Sequence, residues 1–287
     1  MRRVASAEVP PHVYFIVSAV FHYLGPSFAV LLFARVQVLG VAWLRIASAA
    51  VIFAAWRRPW RAFGRLGSDG RRLLVAWGVV LAVMNACFYS AISRLPLGTV
   101  SAIEFLPVIL LAAIGARSAR NLLALALAVG GVYLLTDIRL AGAALGFAFA
   151  FANAVLFAVY IVLADRVAKH RALSGIDGLA AAMLIAAVVV TPIGGWQAAR
   201  VFGDPVVLLA GIGVGVSSSV IPYVTDQLAM ARLPRATYAT MVALLPALAT
   251  VIGIVVLTQI PTWVELAGLA LVVTGVGLHR PQSGATS

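Results

Sequence analysis

The feature that most constrains this chain is a series of apolar runs, each about twenty residues long and almost free of charge, separated by short connections. A helix rises about 1.5 Å per residue, so roughly 20 apolar residues cross a hydrocarbon layer of about 30 Å. The runs predict helices at 12–33, 36–56, 72–92, 96–115, 119–136, 140–164, 175–195, 205–229, 235–257 and 262–279. Ten such crossings use most of the 287 residues and leave no room for a sizeable soluble domain. With 63 % hydrophobic and 10 % charged residues, the chain lacks the polar cover of soluble domains, where roughly a quarter of residues are charged. The expected fold is therefore an all-α integral membrane protein of ten transmembrane helices. The first run lacks an A-x-A-like exit and is followed by others of equal length, so it reads as a retained helix rather than a signal peptide. Pro26, Pro107, Pro192, Pro222 and Pro246 fall inside runs, where each removes a backbone donor and can kink its helix.

A net charge of +12 would suggest nucleic acid in a soluble chain. Here the basic residues flank the apolar runs and form no aromatic-interleaved stripe, which points to orientation in an anionic bilayer and to no nucleic-acid partner. With the N-terminus inside, sixteen of the 21 Arg and Lys fall on that side. Four fall opposite (Arg35, Arg94, Arg139 and Arg200), and Arg45 lies within the second run. That bias places both termini in the cytoplasm. The single Cys87 excludes an internal disulfide, and four scattered His make no metal cluster. There is no Walker A lysine motif, H-E-x-x-H or Ser/His/Asp set, so neither a cofactor, a metal nor an enzymatic role is expected.

Arg94-Leu95-Pro96 with Thr99 recurs as Arg232-Leu233-Pro234 with Thr237, 138 residues later, and Leu106-Pro107 is echoed by Leu245-Pro246 at an offset of 139. These echoes predict two five-helix repeats, 12–136 and 140–279. Because five is odd, the second enters the membrane inverted, an arrangement suited to a site alternately open to either face.

The charges and polar groups inside the runs are the site candidates. Glu104, between Ile103 and Phe105, is expensive in hydrocarbon unless it meets a cation, a proton, water or a positive partner; a buried structural hydrogen bond is the competing reading. Arg45 can bind a substrate carboxylate, neutralise Glu104, or only snorkel to an interface. Asn85 with Tyr89, and Asn153 with Tyr160, share helix faces at spacings of four and seven. Tyr223 and Gln227 flank Asp226 beyond Pro222. All six are candidates for a polar cavity lining, with interhelical hydrogen bonding as the alternative for the first four and helix capping or cytoplasmic water for Tyr223 and Gln227. Gly211, Gly213 and Gly215, the pair Gly142 and Gly146, and Gly268, Gly275 and Gly277 read as close-packing positions within a monomer or between copies, leaving a homo-oligomer open.

Several passages carry a family resemblance. They are Ala42-Trp43-Leu44-Arg45, Trp56-Arg57-Arg58-Pro59-Trp60, Asn85-Ala86-Cys87-Phe88-Tyr89, Leu95-Pro96-Leu97-Gly98-Thr99 and Ala102-Ile103-Glu104-Phe105-Leu106-Pro107, then Ala158-Val159-Tyr160-Ile161, Ser219-Val220-Ile221-Pro222-Tyr223 and Ala231-Arg232-Leu233-Pro234. In this order, along nearly the whole chain, they resemble the EamA branch of the drug/metabolite transporter superfamily, and within it the bacterial exporters of threonine and homoserine. The resemblance implies two inverted EamA-type repeats in a bacterial inner membrane. It also implies secondary, alternating-access efflux of small polar metabolites such as amino acids, with protons as a possible coupling ion and lipid as the surroundings. Import or exchange of another metabolite is the alternative, and a non-transporting membrane scaffold is a more distant one. Two departures stand out: Gln259-Ile260-Pro261 replaces a glutamate before the proline in many relatives, and Leu106-Pro107 lacks an intervening glycine.

Overall fold

The computed structural model describes residues 10–115, 118–137, 140–168, 175–233 and 235–278, and every regular element among them is helical. α1 spans Pro11–Leu32 and α2 spans Val38–Arg57; a short α3, Pro59–Arg65, precedes α4, Ser68–Ile92. Then follow α5 (Leu97–Gly115), α6 (Ala119–Asp137), α7 (Leu140–Ala168), α8 (Gly175–Val190), the single turn α9 (Trp196–Ala198) and α10 (Pro205–Gly215). The last four are α11 (Ile221–Arg232), α12 (Arg235–Val242), α13 (Leu245–Leu257) and α14 (Trp263–Leu278). Six spans are long and apolar enough to cross a membrane by length and composition, and shorter apolar helices cover Leu97–Pro107, Ala119–Leu135, Leu245–Leu257 and Trp263–Leu278. The chain is an all-α integral membrane protein.

Prolines account for most departures from the sequence reading, because a proline has no N–H to offer the carbonyl four residues earlier. The helix predicted over 175–195 stops at Val190, widens into a π-type turn at Thr191–Gly195 around Pro192, and runs on through α9 and a tight turn at Ala199–Gly203. The helix predicted over 205–229 is interrupted by a second π-type turn, Val216–Val220, just before Pro222. The helix predicted over 235–257 is two helices, α12 and α13, with a turn between them in which Leu244 N donates to Met241 O at 3.0 Å and Pro246 follows. α3 lies where only a connection was expected: Arg58 turns the chain with φ 50°, and Pro59 starts the new helix. α1 and α5 continue through Pro26 and Pro107.

Small residues decide which helices come close. A side chain at Gly131 would meet the Gly268 carbonyl at 2.5 Å, and one at Gly275 the Ala124 carbonyl at 2.6 Å, so α6 and α14 pack backbone to backbone. Gly215 does the same for α10 against α2, meeting Ser48 and the Arg45 carbonyl, and Gly211 lies tight against the Leu44 side chain. Gly213 is the exception to the close-packing expectation, since a Cβ there has no atom within 4 Å. Gly277 makes ordinary contact with Ala243 at 3.7 Å; Gly146 abuts Arg94 and Leu95, while the surroundings of Gly142 lie outside the described residues. Outside these contacts the helices present Val51, Leu209 and Val255 outward, the apolar surface that a bilayer covers.

Two glutamines join helix starts to distant segments. Gln197 Oε1 accepts from Gly40 N at 3.2 Å near the start of α2, and Gln259 Oε1 accepts from Leu97 N at 3.0 Å, the first N–H of α5. Such N–H groups have no partner within their own helix. Gln259 thus serves as a neutral cap. Gln259→Leu removes the acceptor and is expected to cost ~1 kcal/mol, visible as a lower melting midpoint of the purified protein in detergent. An unchanged midpoint would show that the cap contributes no stability.

Candidate functional site

The first part of the site is built around the break before Pro222. Pro222 cannot donate to the carbonyl of Ser218, and Arg45 takes that carbonyl instead, with Nη2 donating at 3.3 Å. Arg45 Nε donates to Ser219 Oγ at 3.0 Å, and the guanidinium lies over the Tyr89 ring, 5.4 Å from its centroid. Arg45 is only 6 % exposed, so these contacts replace the water it has lost. Two glycines permit the approach. Gly215 brings α10 against the Arg45 carbonyl, and Gly25 lets α1 lie on the backbone of Ser218, where a Cβ would sit 2.7 Å from the amide nitrogen. Ser18 on α1 adds a hydrogen bond to the Pro222 carbonyl at 3.1 Å. The break in the α10–α11 span is thereby clamped between α1 and α2.

The second part centres on Glu104 of α5, which is 7 % exposed. Its Oε1 accepts from Asn153 Nδ2 of α7 at 3.0 Å, and Asn153 is fully buried. One helical turn before Glu104, Ser101 Oγ shares a hydrogen bond of 2.6 Å with Tyr23 Oη of α1. His22 packs edge-on against Tyr23, with ring centroids 5.1 Å apart. Arg45 and Glu104 lie within electrostatic reach of one another. No direct ion pair joins them among the described residues; each is held by neutral partners. Tyr89 Oη and Ser218 Oγ, beside Arg45, and Asn153 Oδ1, beside Glu104, are buried with no hydrogen-bond partner in good geometry.

The remaining candidates are distributed less uniformly. Asn85 is buried and donates to the Leu81 carbonyl of its own helix at 2.8 Å, while Tyr89, four residues on, faces Arg45. Tyr160 of α7 stacks on Phe157 and tilts against Trp77, so its ring is part of an aromatic cluster between α4 and α7. Tyr223 packs beside the same apolar cluster. The Gln227 side chain lies outside the described residues. Asp226 accepts from Tyr238 Oη at 2.6 Å. Sequence reasoning passed over Tyr23, Ser101 and His22, and it treated Ser219 only as a family passage. The run Ser217-Ser218-Ser219, polar within an apolar segment and just ahead of a proline, was the available signal.

Comparison with known proteins agrees with this architecture. The threonine/homoserine exporter RhtA of Salmonella typhimurium strain LT2 is 33 % identical over 256 residues, covering 87 % of this chain and 84 % of the relative. The exporter of the same name from Escherichia coli strain K12 is 32 % identical over the same lengths. A crystal structure of another protein matches 93 % of this chain and 96 % of its own with a TM-score of 0.57 and 19 % identity, a likeness of fold alone. The model of the EamA-like transporter family matches residues 144–279. Identity of this extent, sustained along most of both chains, means that the protein belongs to the EamA-like transporter family.

Proposed function

We propose that this protein is a secondary transporter of the bacterial inner membrane that exports small polar metabolites, with an amino acid such as threonine or homoserine as cargo and proton antiport as the coupling. The observation that carries this reading is the pair of buried opposite charges, Arg45 and Glu104, each held by neutral groups and each beside buried polar atoms that lack a hydrogen-bond partner in good geometry. A zwitterion has the matching chemistry. Its carboxylate suits the guanidinium of Arg45, and its ammonium suits the carboxylate of Glu104. The hydroxyls of Tyr89 and Ser218 and the amide of Asn153 supply further donors and acceptors. The relatives' exporter names support an amino acid as the cargo.

In this reading Glu104 carries either a proton or the cargo's ammonium, so that entry of one releases the other. The segments 12–136 and 140–279 are the two inverted halves, with both termini cytoplasmic; the sequence echoes, the charge bias and the family match within 144–279 support that division. The contacts of Arg45 with Ser218 and Ser219, and of Glu104 with Asn153, link one half to the other. Cargo biases the equilibrium only through differential affinity for the inward and outward states. Rearrangement of these contacts supplies that difference, and no covalent chemistry is involved.

The test is flux through the purified protein in vesicles loaded with labelled threonine, homoserine and a panel of other amino acids and amines. Vesicles are run with and without pH and voltage gradients. The expected result is threonine or homoserine efflux accelerated by an opposing proton gradient. Flux that ignores the gradient would remove proton antiport, and absence of flux across the whole panel with the fold intact would overturn the transporter reading.

A further inference from the structure

Two cavities meet on the membrane-facing side of α1 and α10, sharing Arg35 and Val207. The more open one has a volume of about 510 Å³ and is walled by apolar groups from Phe28 and Leu31 on α1 and from Ala210 and Gly213 on α10. The more enclosed one, about 470 Å³, is polar and includes Arg35, Trp196, Arg200 and Asp204. Each has the size of a small-molecule site, roughly 300–1,000 Å³.

Depth and charge indicate what fits. Trp196, which is 83 % exposed on the polar rim, is a residue type that settles at headgroup level. Gly213 lies eight residues beyond Pro205 on the same helix, about 12 Å deeper at the helical rise, within hydrocarbon. The rim carries two guanidiniums and one carboxylate. Asp204 offsets one of the two: its Oδ1 caps α10 through Val206 N and Val207 N at 3.0 and 3.2 Å, and its Oδ2 lies 4.0 Å from Arg35 Nη1. The rim therefore keeps net positive charge. Arg35 and Arg200 are also two of only four basic residues on the side of the sequence topology that is otherwise poor in them, and they meet at this rim from distant parts of the chain.

We propose that this crevice is a binding site for an anionic phospholipid, with an acyl chain between α1 and α10 and the phosphate at Arg35 and Arg200. A soluble anion has no use for an apolar cleft at hydrocarbon depth, and a zwitterionic lipid brings an additional cation to a rim that is already net positive. Gly213 fits the assignment, because its Cβ position opens onto space rather than onto another helix. The crevice ends at Ser217, adjacent to the serines that hold Arg45, so the lipid braces the same clamp that positions the guanidinium.

The test uses the full-length purified protein in detergent, titrated separately with phosphatidylglycerol, phosphatidylcholine and glycerol phosphate. Retained lipid is counted by native mass spectrometry and the melting midpoint is followed. Phosphatidylglycerol is expected to be retained in preference to phosphatidylcholine, by about fivefold per arginine engaged. Arg200→Gln should reduce that preference and the double variant R35Q/R200Q abolish it. Arg200 makes no ion pair or side-chain hydrogen bond among the described residues, so its single variant carries the charge test should the double variant fail to fold. Gly213→Leu should displace the retained lipid, whereas Gly130→Leu, at another glycine open to space but on α6, should not. Three results would overturn the proposal: a preference unchanged by Arg200→Gln, equal effects of Gly213→Leu and Gly130→Leu, or the same thermal shift from glycerol phosphate alone.

Discussion

Glu104→Gln is expected to lower gradient-driven amino-acid flux by at least an order of magnitude while leaving the melting midpoint nearly unchanged. The two halves of that expectation have separate causes. Glutamine keeps the shape of glutamate and an acceptor oxygen, so the 3.0 Å hydrogen bond from Asn153 Nδ2 survives and the packing of α5 on α7 with it. What disappears is the negative charge. A hydrogen bond to a charged group is worth about 1.5–3 kcal/mol, so a cargo ammonium that loses it binds roughly ten- to a hundredfold more weakly. Glu104 is also the proposed carrier of the exchanged proton, so the remaining flux should lose its dependence on the pH gradient. Flux with the same rate and pH dependence as the unaltered protein would exclude Glu104 from both roles. A collapsed melting midpoint would show instead that the carboxylate is a structural group.

The same substitution, glycine to alanine, is expected to have opposite signs two residues apart on α10. Alanine is the better helix former by about 0.8–1 kcal/mol, and at Gly213 nothing stands within 4 Å of the new methyl group, so Gly213→Ala should raise the melting midpoint. At Gly215 the methyl group would overlap the Ser48 side chain and approach the Arg45 carbonyl to 2.8 Å. A hydroxyl can rotate away, but a helix backbone cannot move without its neighbours. Overpacking of this kind costs about 1–3 kcal/mol, which exceeds the propensity gain. Gly215→Ala should therefore lower the midpoint, and it should reduce flux as well, because α2 shifts Arg45 away from Ser218 and Ser219 as it gives way. Melting curves and vesicle flux on the two variants are sufficient. Equal shifts of the same sign would mean that the α2–α10 contact does not discipline this part of the site.

The helices were legible because hydropathy is local: an apolar run about as long as a bilayer is thick announces itself without reference to any other residue. The breaks were legible only in part. Pro222 and Pro246 mark where a backbone donor is missing, but α1 and α5 run straight through Pro26 and Pro107. Whether a proline interrupts its helix depends on what can satisfy the carbonyl it leaves behind, and at Ser218 that partner is Arg45, 173 residues away in sequence. Glu104 and Arg45 could be found as charges in the wrong solvent. Tyr23 and Ser101 could not, since a tyrosine and a serine in an apolar run give no sign that they will bond to each other.

By itself, the sequence determined that this chain lives in a membrane, roughly where its helices lie, and which few charges are costly enough there to need a reason. Those conclusions rest on transfer free energies that each segment carries on its own. Only the tertiary structure decided that Arg45 rests on the Ser218–Ser219 break and Glu104 on Asn153, rather than on each other. That choice is made where helices approach closely, at Gly25 and Gly215 among others, and each such approach depends on the facing surface of a helix far away in the chain.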